Sequence, residues 1–286
     1  MRASPGASAV APAPPRASCL NRRALALAPV ALLIVLALAG PALAPQDPLA
    51  TAIERALQAP SAAHWFGTDA LGRDVFSRVI AATRLDLLIA ASAVGLSALA
   101  GTLVGAACGF AGGALDRWVG RLVDVLMAFP LFVVAMALVA ALGNSVSSVV
   151  WATALINLPF YIRLTRAEVA VRREAPYVQA ARLGGTGPLR LLLTVLLPNL
   201  LPLLVVQMSL NLGWATLNGA GLSFLGLGVR PPTPEWGVLV NEGAQYILTG
   251  QWWVALFPGL ALFAAVYAFT LAGDALRDRL DPRRQT

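Results

Sequence analysis

The sequence predicts an all-α integral membrane fold with six transmembrane helices, and three observations carry that expectation. Of 286 residues, 58% are hydrophobic and 12% charged, whereas a soluble domain has about 25% charged residues; the mean hydropathy is +0.73. Apolar runs suited to helices across ~30 Å of hydrocarbon recur six times along the chain. The charges that remain are set mostly beside the ends of those runs.

Taken in order, residues 1–21 are rich in Ala, Pro and Ser and read as a disordered tail. Arg22 and Arg23 precede the apolar run Ala24–Ala44, so 22–45 reads as the first transmembrane helix. Basic residues, an apolar run and Ala42-Leu43-Ala44 also imitate a secretory leader, but Pro45 would follow the cut and impede cleavage, so the run is read as retained. Residues 46–82 are polar and form an extracytoplasmic segment leading through a turn into an interfacial helix. The core, 83–275, holds the other five spans. The second runs from Leu85 to Phe110, where Gly101, Gly105, Gly109 and Gly113 recur every four residues and predict close helix packing on one face. The third, Leu122–Leu142, contains Pro130, which predicts a kink or break. The fourth begins over Ser148–Ile162 and carries Asn157 and Pro159. A polar loop, 163–190, leads to the fifth span, Leu191–Leu217, and a Gly/Pro-rich extracytoplasmic loop, 218–250, to the sixth, Trp252–Leu271. Residues 276–286 form a basic tail.

Arginine placement orients the bundle. With the N-terminus inside, the inner segments hold 16 arginines and the outer segments five: Arg55, Arg73, Arg78, Arg84 and Arg230. That positive-inside bias predicts cytoplasmic N- and C-termini and a cytoplasmic 163–190 loop. The same residues exclude whole classes of function. All 21 basic residues are arginine, and a Walker A loop needs lysine, so the chain is not expected to be an enzyme that hydrolyses ATP. A net charge of +7 would suggest nucleic acid only on a soluble basic face, which arginines beside span ends do not make. His64, Cys19 and Cys108 are too few for a zinc site, and no metal, cofactor or disulfide is expected.

The most informative stretch lies in the 163–190 loop: Tyr177, Val178, Gln179, Ala180, Ala181, Arg182, Leu183, Gly184 and Gly185, followed by Val195-Leu196-Leu197-Pro198. Pro176 can open a short helix. Ala180 and Ala181 are small enough for that helix to enter a narrow groove, and Gly185 can turn the chain. Arg172, Arg173 and Arg182 have the geometry to bond acidic groups at a groove rim. Ala180, Ala181, Gly185, Val195, Leu197 and Pro198 fall on the register of the cytoplasmic coupling loop of ABC-importer permeases, with Gln179 where that loop usually has Glu. Two more features agree: Phe66-Gly67-Thr68-Asp69 with Gly72-Arg73-Asp74 and Ser77-Arg78, and Leu222–Gly228 with Pro231 through Gly237. Together they cover roughly residues 22–275, and the chain resembles the C-type permease subunit of the dipeptide/oligopeptide/nickel family of ABC importers.

That resemblance implies a type I importer permease fold with a cytoplasmic coupling helix between spans four and five. It also implies a homologous permease partner, two cytoplasmic ATPases and an extracytoplasmic substrate-binding protein, in a bacterial inner membrane. The implied function is ATP-driven import of di- or oligopeptides, or of a related small solute such as a nickel chelate, by alternating access. Two further departures accompany Gln179: Gly219 stands where the family commonly has glutamate, and Glu235 where it tends to have serine. Gln207 and Asn211, inside the fifth span, are candidates for the translocation path, interhelical bonding being the commoner role of such residues. Trp236, Trp252 and Trp253 suit an aromatic belt at the outer face. The competing readings are an ion-coupled secondary carrier, which lacks here the inverted repeats and midplane ionisable residues it would use; an intramembrane hydrolase, whose Gly-x-Ser-x-Gly elbow fails at Leu225; and a passive membrane scaffold.

Overall fold

The computed structural model describes residues 16–280, leaving aside the side chains of 16–25 and of Pro41. The readings of residues 1–15 and 281–286, including Arg2, Arg283 and Arg284, lie outside the described residues. Ten helices follow in order: α1 (Arg16–Leu43), α2 (Val75–Ala111), α3 (Gly113–Ala128), α4 (Leu131–Leu142), α5 (Val146–Arg172), α6 (Pro176–Leu183), α7 (Pro188–Arg190), α8 (Leu197–Phe224), α9 (Trp236–Ala244) and α10 (Trp253–Leu280). A π-helical turn over Leu191–Leu196 joins α7 to α8, so Pro188–Phe224 is one continuous helix. Among the described residues no strand forms; a single bridge pairs Thr68 with Asp74.

Among the described residues three helices are long and apolar enough to cross a membrane: Val75–Ala111, Pro188–Phe224 and Trp253–Leu280. A fourth crossing arises if α3 and α4 count as one, and these meet at 90° across Phe129 and Pro130, the break that Pro130 predicts. The apolar part of α1, Ala26–Gly40, is shorter. The last turns of α5 carry Arg163, Arg166, Glu168 and Arg172, which lower its apolar character. At 37 residues α2 extends ~55 Å, well beyond a hydrocarbon core. The helix expected to lie at the interface before residue 82 is therefore the first two turns of α2 itself.

Glycine sets the main packing contact. A Cβ on Gly101 would lie 2.5 Å from Tyr161 Cβ, and one on Gly105 2.5 Å from the Ile162 carbonyl oxygen; on Gly109 it would strike the Arg166 carbonyl. Three glycines four apart thus let α2 and α5 meet backbone to backbone, where dispersion and close approach replace the hydrophobic effect that lipid does not supply. Gly113 falls outside this stripe: it has φ of +63° and nothing within 4 Å, and it serves the turn into α3. A similar contact seats α8 on α10, where Leu210 lies over Gly273.

Candidate functional site

The 163–190 loop is built from its ends. Pro176 begins α6, where a missing N–H costs nothing. Its far end closes with Gly185 N–H donating to Arg182 O and Thr186 N–H to Ala181 O, both at 3.1 Å. That is a Schellman pair, which needs a left-handed residue at the turn, and Gly185 has φ of +82°. The helix is anchored on one side only. Val178 is wholly buried, and Ala175 and Ala181 pack with it against the cluster of Val169, Leu191 and Leu196. On the other side Tyr177, Gln179, Ala180, Arg182 and Gly184 are exposed, and Leu183 is 91% exposed. Gln179 donates to the Glu174 carbonyl at 3.0 Å, fastening the first turn.

The arginines around α6 divide into two kinds. Arg173 donates to the carbonyls of Gly109 and Phe110 at 3.2 and 3.1 Å, capping the C-terminus of α2. Arg172 holds Glu168 at 3.0 Å and the Asn199 carbonyl at 3.3 Å, tying α5 to α8. Both could have served a groove rim; the structure engages them inside the chain, Arg173 on carbonyls that the end of α2 leaves without helical partners and Arg172 on Glu168 and a carbonyl near the start of α8. Arg182 alone of the three points away from the bundle on α6. Asp116 and Asp124 on α3 pair with Arg166 and Arg163, so α3 is fixed to α5 as well.

The 67–78 signature is a second constellation, at the far end of α2. Gly67 and Gly72 have φ near +70°, and a Cβ on Gly67 would meet the Gln58 carbonyl and the Trp253 ring at 2.6–2.7 Å. Thr68 is fully buried and bridges the Gln58 N–H and the Arg55 carbonyl. Asp74 caps α2, accepting from the Ser77 N–H at 2.8 Å and Ser77 Oγ at 2.7 Å. Its other oxygen lies 2.9 Å from His64 Nδ1. The carboxylate thus stands between hydroxyl and imidazole, so the His64 ring does not reach Ser77 and the serine–histidine contact of an activated nucleophile is not made. Asp69 takes Arg73 Nε at 2.7 Å and an Arg78 amino group at 2.6 Å, and Glu242 on α9 takes Arg78 at 2.6 Å and Arg73 at 3.2 Å. Arg78 is 1% exposed. Two guanidiniums and two carboxylates therefore balance in charge at a site closed on one side and opening to solvent at Glu242, although Arg78 Nε and one of its amino groups complete no hydrogen bond. Glu242 is the member that sequence reasoning missed. The available signal was that it is the single charged residue within α9.

The 235–237 turn locks on beside this knot. Glu235 caps α9 through the Val238 N–H at 2.8 Å, and the Trp236 N–H donates to Asp86 on α2 at 3.2 Å. Burial pushes the Glu235 carboxyl above its ordinary value, against opposing contacts from Asp86, Val238, Gly237 and Ser223. Asp86 and Ser223 approach Glu235, although Glu235 Oε1 and Ser223 Oγ complete no hydrogen bond of good geometry. Trp236 is buried, donating its indole N–H to the Val79 carbonyl at 3.1 Å, and Trp253 is buried against Thr68; of the three tryptophans only Trp252 is exposed as a belt residue would be. On α8 the candidate path residues bond each other, Gln207 Nε2 donating to Asn211 Oδ1 at 3.1 Å. Asn211 is buried, with its Nδ2 unpartnered; Tyr161 Oη on α5 is likewise buried without a partner. Among the described residues no cluster of three His, Cys, Asp or Glu gathers to hold a metal.

Residues 101–286 match the family described as "Binding-protein-dependent transport system inner membrane component". The chain belongs to this family. It is a permease subunit of a bacterial ABC transport system, whose ATPase is a separate subunit and whose solute receptor is a separate binding protein. Similar proteins include the probable D,D-dipeptide transport system permease protein DdpC of Escherichia coli K12, 41% identical over 254 residues, or 89% of this chain and 85% of that protein. The di/tripeptide transport system permease protein DppC of Pseudomonas aeruginosa is 43% identical over 88% of the chain and 85% of its own length. The nickel transport system permease protein NikC of Escherichia coli K12 is 42% identical over 92% of the chain and 94% of its own length. An inner-membrane location follows from the family and from the apolar helices together.

Proposed function

We propose that this permease forms, with a homologous permease chain, the six-plus-six-span channel of an ATP-driven importer, with α6 as the helix its ATPases grip. The observation that carries the reading is the two-sidedness of α6. Val178 and Ala181 are held in the core while Tyr177, Ala180 and Leu183 lie bare, and an apolar surface left open beside charged residues suits a protein partner. In this reading α1, α2, the α3–α4 pair, α5, α8 and α10 are the six spans. Both chain termini and α6 face the cytoplasm, as the arginine distribution supports, and residues 46–74 with α9 face outward to the binding protein. Closure of the two ATPases displaces α6, and the Arg172 and Arg173 tethers pass that displacement to α8 and α2. The solute is a di- or oligopeptide, with a nickel chelate the next choice, as the names of the similar permeases suggest. Asn211 with Tyr161 is the proposed polar lining of the path, and Gln207 holds Asn211 in place.

The test uses Ala180→Trp and Leu183→Asp, both on the open side; Ala181 is less suitable because it packs in the core. Each variant is expected to insert and to assemble with its permease partner while losing solute uptake, with ATP hydrolysis no longer responsive to loaded binding protein. Uptake at the unaltered rate in both would overturn the reading.

A further inference from the structure

Between α8 and α10, on the α6 side of the molecule, lies a wedge-shaped recess of about 600 Å³. The two helices touch where Leu210 lies over Gly273 and Val266 over Gly213. They part toward Asn199 and Arg277, and the space between them is the recess. Its wall is aliphatic: Leu203, Val206 and Leu210 repeat at three and four residues along one face of α8. Its mouth is basic, with Arg172 arriving from α5 and Arg277 from α10. Glu168 engages Arg172 Nε and the Asn199 carbonyl one of its amino groups, leaving the other amino group for a ligand, and Arg277 is exposed at the rim. Gln207, at the upper wall, has one amide N–H engaged by Asn211 and is the one polar side chain between Leu203 and Leu210 on the lining.

We propose that this recess is a binding site for an anionic phospholipid, with its phosphate between Arg172 and Arg277 and one acyl chain along α8. Two properties select this occupant over a transported solute or a free anion. The lining separates charge from hydrocarbon along its length, as an amphiphile does, whereas a peptide requires hydrogen-bonding partners throughout. The dimension also agrees: from Asn199 to Leu210 a helix rises ~16 Å, about half of a ~30 Å hydrocarbon core, so the wall is one leaflet deep. Basic pockets between spanning helices at the membrane surface take acidic headgroups by this chemistry. The site rests on the six-span reading only in placing both arginines at the water boundary, and it requires no contact by an ATPase.

The test is native mass spectrometry of the assembled transporter after reconstitution in an equimolar mixture of phosphatidylglycerol and phosphatidylcholine, without nucleotide. Phosphatidylglycerol is expected to be retained in preference, with retention falling roughly fivefold for each of Arg172→Gln and Arg277→Gln. Millimolar glycerol 1-phosphate should leave the lipid in place, because it lacks the chain that α8 holds. Equal retention of the two lipids, or unchanged retention in Arg277→Gln, would overturn the proposal; if Arg172→Gln fails to assemble, Arg277→Gln decides alone. Full displacement by glycerol phosphate would make it a simple anion site, and displacement by a transported peptide would make it part of the solute path; either result also rejects the lipid. Because uptake and ATP hydrolysis are not read, failure here is separate from failure of α6 as the coupling helix.

Discussion

The segment around residues 64–78 and the loop around α6 are both polar, arginine-bearing connections, yet they treat their polar groups in opposite ways. In the first, Asp69, Arg73, Arg78 and Glu242 pair in a largely buried knot, and Asp74, Ser77 and His64 close around the start of α2. In the second, Arg172 and Arg173 are tied down, but one side of α6 keeps Leu183, Tyr177 and Arg182 uncovered. The difference teaches that charged and polar residues can serve packing within a chain in one place and leave a surface open in another. The 64–78 charges pair within this chain. Ala180 and Leu183 on α6 stay exposed, as the interface proposed for them requires.

The comparison can be broken or sharpened by substitution. The largest effect is expected at Asp69→Ala, which leaves two buried guanidiniums facing one carboxylate and should cost about 3–5 kcal/mol. A melting temperature close to that of the parent would show that the knot is not what holds the outer segment. Next come paired glycine replacements. Gly185→Ala meets open space and should cost only the ~1–2 kcal/mol of left-handed backbone. Gly67→Ala adds collision with the Gln58 carbonyl and the Trp253 ring, and should cost clearly more. Equal costs would erase the distinction between the two ends.

A third prediction concerns pH. The Glu235 carboxyl titrates above its unfolded value of 4.5 in the folded chain, so the folded state holds that proton more tightly. The stability this contributes is full below pH 4.5 and falls as pH rises through the folded value. Asp86 is the titratable neighbour facing it. Glu235→Gln, neutral throughout, should flatten that slope in a melting-versus-pH series; an unchanged slope would assign it elsewhere. The smallest stability effect, within ~0.5 kcal/mol, is expected for Leu183→Asp, at a surface that touches nothing in this chain.

Much of this was legible in the sequence, for reasons that can be named. Pro176 and Gly185 bracket α6 through local backbone rules, so they could be read nine residues apart without any structure. The glycine stripe was legible from its spacing at three of four positions. Gly113 failed because helix periodicity ends where α2 does, and nothing in the spacing marks that end. The break at Pro130 was legible from the proline's missing donor. The outer knot was visible only as a pattern of residue types, because Glu242 lies 164 residues from Arg78 and no local rule joins them. The roles of Arg172 and Arg173 were hidden for the same reason, since the carbonyls they reach lie on other helices, far off in the sequence. The span count was read from apolar runs, whereas helix length with apolarity picks out three or four, because α1 is short in its apolar part and α5 ends in charge.

The measurement that bears most directly on the central claim is crosslinking from Leu183→Cys in the assembled transporter within inverted membrane vesicles. A bifunctional thiol-to-amine reagent should join that position to an ATPase subunit, and the cysteine should be shielded from a membrane-impermeant maleimide until the ATPases are stripped away. A cysteine that labels freely in the intact assembly and joins no second polypeptide would contradict the account.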